Sequence, residues 1–367
     1  MQKLAKPLLA IAILIFITGI IAACSSNSKN SNVQASHTDI SGTQSTSGVT
    51  QAADAPKFKY GKIDIPGKEG SLCAAPIYIA YEKGFYAEEG FDVNLISADT
   101  ETRKIGLNNG TIPIVNGDFQ FFPSIENDVR VKVVDGLHFG CIKLLVKKDS
   151  PIQSVEDVRG KKISVDEIGG TPHQVASVWL EKNGISAKPE DGEVTFLPFA
   201  DGNLAVEALN KGEVDIAALW DPFGSVIEKT GNYRVILDIS TDEPFADKFC
   251  CFLYASEKWI NENPEKVAAL LRAYRKAQNW IAENPEETVD IIINGKYSQI
   301  EDRDLAIKLI KSYKYPTDED RAKNPTQVRD NVLYFAEQLY SIGYLTTDPE
   351  TFTNRAYAEI EVNASNP

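Results

Sequence analysis

The 367-residue chain contains no phosphate-loop motif, no GxGxxG, no HExxH and no CxxC, so the usual signatures of nucleotide cradling, zinc proteolysis and dithiol exchange are missing. Cysteine is scarce. There are five, and two of them, Cys250 and Cys251, stand side by side in KFCCFLY. Basic residues are also few: without residues 1–23, which carry Lys3 and Lys6 and no acid, 36 Lys and Arg face 52 Asp and Glu. Such a surface is a poor partner for nucleic acid or anionic lipid. After residue 23 no apolar run is long enough to span a bilayer. From Ser25 to Lys57 large apolar side chains almost disappear in favour of Ser, Asn, Thr, Gln, Ala and Gly, a composition that cannot bury enough surface to fold.

What is present begins with an export signal. Two lysines precede an apolar run from Leu8 to Ala23, interrupted only by Thr18 and Gly19 and closed by Ile21-Ala22-Ala23-Cys24. The run falls short of the roughly 20 residues of a membrane span. Its end resembles the lipobox of bacterial lipoproteins, which implies removal of residues 1–23 and lipidation of Cys24. The competing reading, an uncleaved anchor helix, leaves the body in the same place. The expectation is an extracytoplasmic protein held to the membrane by an N-terminal lipid, with 24–57 as a flexible tether.

About 310 residues remain, enough for two domains. LNNGTIPIVNGD (107–118) and LNKGEVDIAALWD (209–221) read alike, as do YEKGFYAEEGFDVNLI (81–96) and LEKNGISAKPEDGEVTFLP (180–198). Each is a helix end, a turn glycine and a strand. The pattern predicts two copies of one α/β lobe, each with a mostly parallel sheet. Pro76, Pro123, Pro172 and Pro222 follow predicted strands and open predicted helices, and they pair across the duplication. They therefore mark the carboxyl edge of each sheet, where open α/β sheets bind ligands. The candidate ligand-binding residues beside them are Cys73 and Ala74, Asp118, Phe119 and Gln120, Thr171 and His173, and Trp220 and Asp221. Small residues permit close backbone approach, aromatic rings give flat contact, and the polar groups supply hydrogen bonds.

APIYIAYEKGFYAEEGFDV (75–93), KKDSPIQSVEDVRGKKISV (147–165), LNKGEVDIAALWDPF (209–223) and NPEKVAALLRAYRKAQNWIAENPEE (263–287) resemble the nitrate/sulfonate/taurine-type solute-binding proteins of ABC importers. The resemblance runs from about residue 60 to 345. It implies a type 2 periplasmic-binding-protein fold, with lobe 1 from 58–148 and 248–367, lobe 2 from 149–247, and CIKLLVKK and CCFLYASE as crossing strands. It also implies a small solute delivered to a permease and ATPase, with no cofactor. Independently of it, Val267, Leu270, Tyr274 and Ile281 fall on one face of a helix opened by Asn263-Pro264, and 264–345 reads as helices covering lobe 1, followed by a polar tail.

The charge of the solute is open at this stage. Helix N-termini favour oxyanions, yet Asp118, Asp166, Glu167 and Asp221 crowd the same edge, with Arg103, His138 and His173 as the nearby cations. A thiamine-precursor pyrimidine fits almost as well as a sulfonate. The KFCCFLYASEKWINENPEKV segment also resembles the cysteine cluster of thiamine-pyrimidine synthases, but the lysine and histidine those enzymes use have no counterpart between Ile112 and Ile125, so no catalysis is expected. A sensor subunit reporting to a membrane receptor would need the same binding site. The adjacent cysteines are read as packing thiols on opposite faces of a strand rather than a two-point metal ligand, with a Cys141 bridge to one of them, or sulfur contact to a metal or solute, as the alternatives.

Overall fold

The computed structural model describes residues 58–68 and 70–362; the signal segment, Cys24 and the tether lie outside the described residues. The duplication is visible in the order of elements. In the first unit, β1 (Gly61–Pro66), β2 (Phe91–Ile96), β3 (Ile114–Asp118) and β4 (Val131–Phe139) are separated by helices Ala75–Glu82, Thr100–Asn109 and Phe122–Glu126. After β5 (Ile142–Lys147), the second unit repeats the pattern with β6 (Lys162–Val165), β7 (Thr195–Pro198), β8 (Ile216–Trp220) and β9 (Tyr233–Asp238), separated by helices Thr171–Lys182, Gly202–Lys211 and Phe223–Lys229. β10 (Phe249–Ser256) follows.

The fold is the two-lobed α/β arrangement expected, but its sheets are mixed rather than mostly parallel. β5 inserts between β8 and β9, antiparallel to both, and completes a sheet of order β7-β6-β8-β5-β9. β10 inserts between β3 and β4, again antiparallel to both, while β1 pairs with β2 in parallel and lies beside β3. Each passage between the units thus delivers the strand that completes the other unit's sheet. Consequently Ile142–Lys147, expected with the first lobe, is bonded into the second, and the two crossing strands do not pair with one another. The chain crosses instead through the short link from Phe139 to Ile142 and the stretch 239–248.

Three of the four prolines sit in the first turn of their helices, at Pro76, Pro123 and Pro172; Pro222 stands one residue earlier, at the N-cap of Phe223–Lys229. The helix Pro264–Glu283 buries Val267, Leu270, Tyr274 and Ile281 as its periodicity requires, although Asn263 makes no capping side-chain bond. Five helices from Pro264 to Ser341 cover the first lobe. The region beyond 345 is not merely a polar tail. Asp348 accepts from Thr351 N and starts a helix, Pro349–Ala356, whose Phe352 is buried against Phe122.

Candidate functional site

All four marked strand ends open onto one cavity of about 800 Å³ between the lobes. From the first lobe come Ser71 and Cys73, Thr100 and Arg103, Asn116, Asp118 and Gln120, and Cys251. The second lobe contributes Asp166 and Glu167, Asn203, and the run from Trp220 to Phe223. Among the proposed residues, Cys73, Asp118, Gln120, Trp220 and Asp221 line this space. The others stand behind the wall: Ala74 is fully buried, Phe119 stacks on Phe335 in the core, and Thr171 and His173 face the opposite lobe.

Asp118 is the best-connected of these groups. As the last residue of β3 it caps the turn that follows, accepting from Gln120 N at 3.0 Å and from Gln120 Nε2 at 3.3 Å. Its Oδ1 also accepts from Thr171 Oγ1 at 2.6 Å, across the gap between lobes. Burial pushes its carboxyl up to about 7, helped by Cys251 directly opposite in the ladder, against the downward pull of the Thr171 and Gln120 bonds.

Trp220 ends β8 half-buried, and its indole Nε1 donates to Asp166 Oδ2 at 3.0 Å. That bond fixes the plane of the ring in the cavity wall. Asp221, one residue before the N-cap of the next helix, accepts from Ser225 N at 2.9 Å, and burial raises its pKa while Lys143 opposes the rise. His173 accepts from Gly169 N at 2.8 Å through Nδ1, with Tyr344 Oη at 2.6 Å from the same atom and Phe196 against the ring. Burial lowers it to about 4. It is neutral and faces away from the cavity, so it supplies no positive charge there.

The lining carries four acids, Asp118, Asp166, Glu167 and Asp221, and one base, Arg103. The Arg103 guanidinium is turned towards backbone, donating from Nε to Ala98 O at 3.0 Å and from Nη1 to Asn116 O at 3.2 Å. His138, the remaining candidate cation, lies beneath the floor in a cluster with four thiols.

That cluster departs from strand alternation. Cys250 and Cys251 are both buried, and both sulfurs lie within 4.8 Å of Cys141 Sγ, with Cys141 and Cys250 at 3.1 Å. The register of β10 against β4 shifts between Phe249 and Cys251 and again before Phe252. A bulge of this kind re-aims side chains, which is why adjacent residues share one side. Hydrogen bonding from Cys141 pulls both Cys250 and Cys251 down to about 7.

Several lining residues escaped the sequence reading. Asn116 lies two residues before Asp118 on one strand, and period-two alternation alone puts them on one face. Thr100 and Asn203 belong to a third pair of helix starts, capped by Asp99 and Asp201, which the duplication also contained. Gln299 carried no local signal.

Two lobes of exchanged-strand topology around an interlobe cavity define the class of the periplasmic-binding-protein fold. The family model described as NMT1/THI5 like matches residues 73–288, more than half of the chain, and the chain belongs to that family. YtlA of Bacillus subtilis (strain 168), a candidate binding protein by name, is 24% identical over 263 residues, covering 69% of this chain and 75% of that one. The nitrate/nitrite binding protein NrtA of Nostoc sp. is 26% identical over 293 residues, covering 72% of this chain and 64% of its own. Among solved structures, the periplasmic aliphatic sulphonate binding protein SsuA of Escherichia coli superposes with a TM-score of 0.64 at 16% identity, over 85% of this chain and 96% of that one. Likeness at that identity concerns the fold. No helix among the described residues is long and apolar enough to cross a membrane.

Proposed function

We propose that this chain is the extracytoplasmic, lipid-anchored binding component of an ABC importer, capturing one small solute between its lobes and passing it to a permease driven by an ATPase. The observation that carries the reading is the interlobe cavity itself, walled by a tryptophan held in place by Asp166 and bridged by the Asp118–Thr171 bond. The named relatives, binding proteins for nitrate or sulphonate among them, support the role.

The solute proposed here differs from theirs in charge. A desolvated oxyanion would meet four carboxyl groups and one arginine already engaged with carbonyls, an arrangement that disfavours it. A small amine-bearing or heteroaromatic solute of the thiamine-precursor type could stack on Trp220 and donate to Asp118. A ligand that binds only the folded state adds about 2.7 kcal/mol of stability at a hundredfold excess over Kd. A thermal-shift screen of sulfonates, nitrate, taurine, dicarboxylates and thiamine precursors should therefore single out the last group. The shift should fall in Trp220→Ala and in Asp118→Asn. Stabilisation by a sulfonate that grows stronger in Asp118→Asn would make the acid a repulsive element and return the oxyanion reading.

A further inference from the structure

We propose that Cys73, His138, Cys141 and Cys251 form a four-donor site beneath the cleft for one thiophilic closed-shell cation of the Zn(II) type, a role separate from solute capture. The donors come from four places in the fold: the turn Leu72–Ala74, the end of β4, the link into β5, and β10. Cys73, His138 and Cys141 offer ligand atoms within 4.8 Å of one another, and Cys141, Cys250 and Cys251 do the same. Tetrahedral Zn–S bonds of about 2.3 Å place sulfurs ~3.8 Å apart. The two triads, which share Cys141, already hold their ligand atoms within about an ångström of that spacing.

The histidine points to a ligand independently of the thiols. It is completely buried; its Nδ1 lies 3.1 Å from the Phe139 carbonyl, and its Nε2 has no hydrogen-bond partner among the described residues. Donation from Nδ1–H to that carbonyl leaves Nε2 as the ligand atom for the cluster with Cys73 and Cys141, the tautomer a metal-bound imidazole adopts. Around the donors the structure supplies an outer layer. Ser71 Oγ lies 2.8 Å from Cys73 Sγ and can donate to a thiolate there, and Tyr313 and Tyr315 wall the imidazole. Binding releases the thiol protons to solvent and leaves a Cys3His set, a closed combination typical of structural zinc. Cys73 and Cys251 also line the solute cavity, which gives the ion its way in. Cys250, whose thiol is hydrogen-bonded to that of Cys141, lies outside the four.

The test uses the full chain purified under reducing conditions and stripped with a chelator. Titration with Co(II) should give one equivalent per chain with a thiolate-to-cobalt charge-transfer band, displaced by Zn(II). His138→Ala and Cys251→Ser should each weaken Co(II) binding by more than the roughly 10- to 100-fold that loss of an outer-shell partner costs, whereas Cys250→Ala should retain the band. Should either variant fail to fold, native alkylation of the wild type decides: bound Zn(II) should protect Cys73 and Cys251 from iodoacetamide. Absence of a stoichiometric thiolate–cobalt band, equal labelling with and without Zn(II), or a Cys141–Cys250 disulfide in freshly reduced protein would overturn the proposal. None of these readouts depends on the solute, so they fail or succeed apart from the transport reading.

Discussion

The two lobes share a β-α-β-α-β-α-β plan and each accepts one strand from the other's side, yet they are not equally built. In the first lobe every residue of β3 and β10 is buried, because helices such as Pro264–Glu283 and Gln327–Ser341 close over the sheet. In the second, β7 and most of β9 remain partly exposed, and one face of the sheet rests on a small core of Leu145, Leu209, Leu219 and a few smaller residues. Duplication transmitted the topology of the lobe. The added helices transmitted depth, so the first lobe is the heavier platform and the second the lighter jaw.

The largest effect that separates them should come from cavity formation. Leu271, fully buried on Pro264–Glu283, should cost about 2–5 kcal/mol on truncation to alanine, the transfer loss plus the cavity left behind. Leu197→Ala in the half-exposed β7 should cost about 1 kcal/mol or less. Urea denaturation measures both, and equal costs would dissolve the distinction between platform and jaw.

A smaller effect sets one titrating group of each lobe against the other. Asp118, raised to about 7 by burial, holds its proton longer in the folded state than the reference of about 3.9. Its contribution is complete below about pH 4 and is lost as pH rises towards 7. His173, lowered to about 4 by burial from a reference of about 6.5, contributes fully above that value and loses the contribution as pH falls towards 4. Between about pH 4 and 6.5 the two slopes, each about 1.4 kcal/mol per pH unit, oppose one another. Relative to wild type, His173→Gln should therefore lose stability as pH rises across this window, and Asp118→Asn should gain it. Parallel curves for wild type and both variants would show that neither group titrates as its burial demands.

Much of this was legible in the sequence where a local rule carries the information. The repeated Gly-strand segments and the prolines placed four helix starts, and the spacing of Val267, Leu270, Tyr274 and Ile281 gave the buried stripe. What escaped depends on contacts distant in sequence. Strand direction in the sheets is not legible, because β5 and β10 each pair with strands of the opposite unit, which no local pattern records. The β10 bulge is set by its pairing with β4, so the alternation rule failed at Cys250 and Cys251. Thr171 and His173 stand at a helix start as expected, but their side chains meet Asp118 and Tyr344 of the other lobe, and only the docking of the lobes turns them there.

The strand exchange also orders the chain in time. Every strand of the second sheet lies between residues 142 and 238, so that sheet can close once this contiguous stretch has emerged. The first sheet cannot, because its middle strand, β10, begins at Phe249 and its covering helices come later still. For a chain synthesised from its N-terminus, the lobe that starts first is therefore finished last, its β3 and β4 edges waiting unpaired through the making of its neighbour. Pulse-labelled amide exchange during refolding should find β8 protected before β3, and the reverse order would mean that the platform assembles without waiting for its borrowed strand.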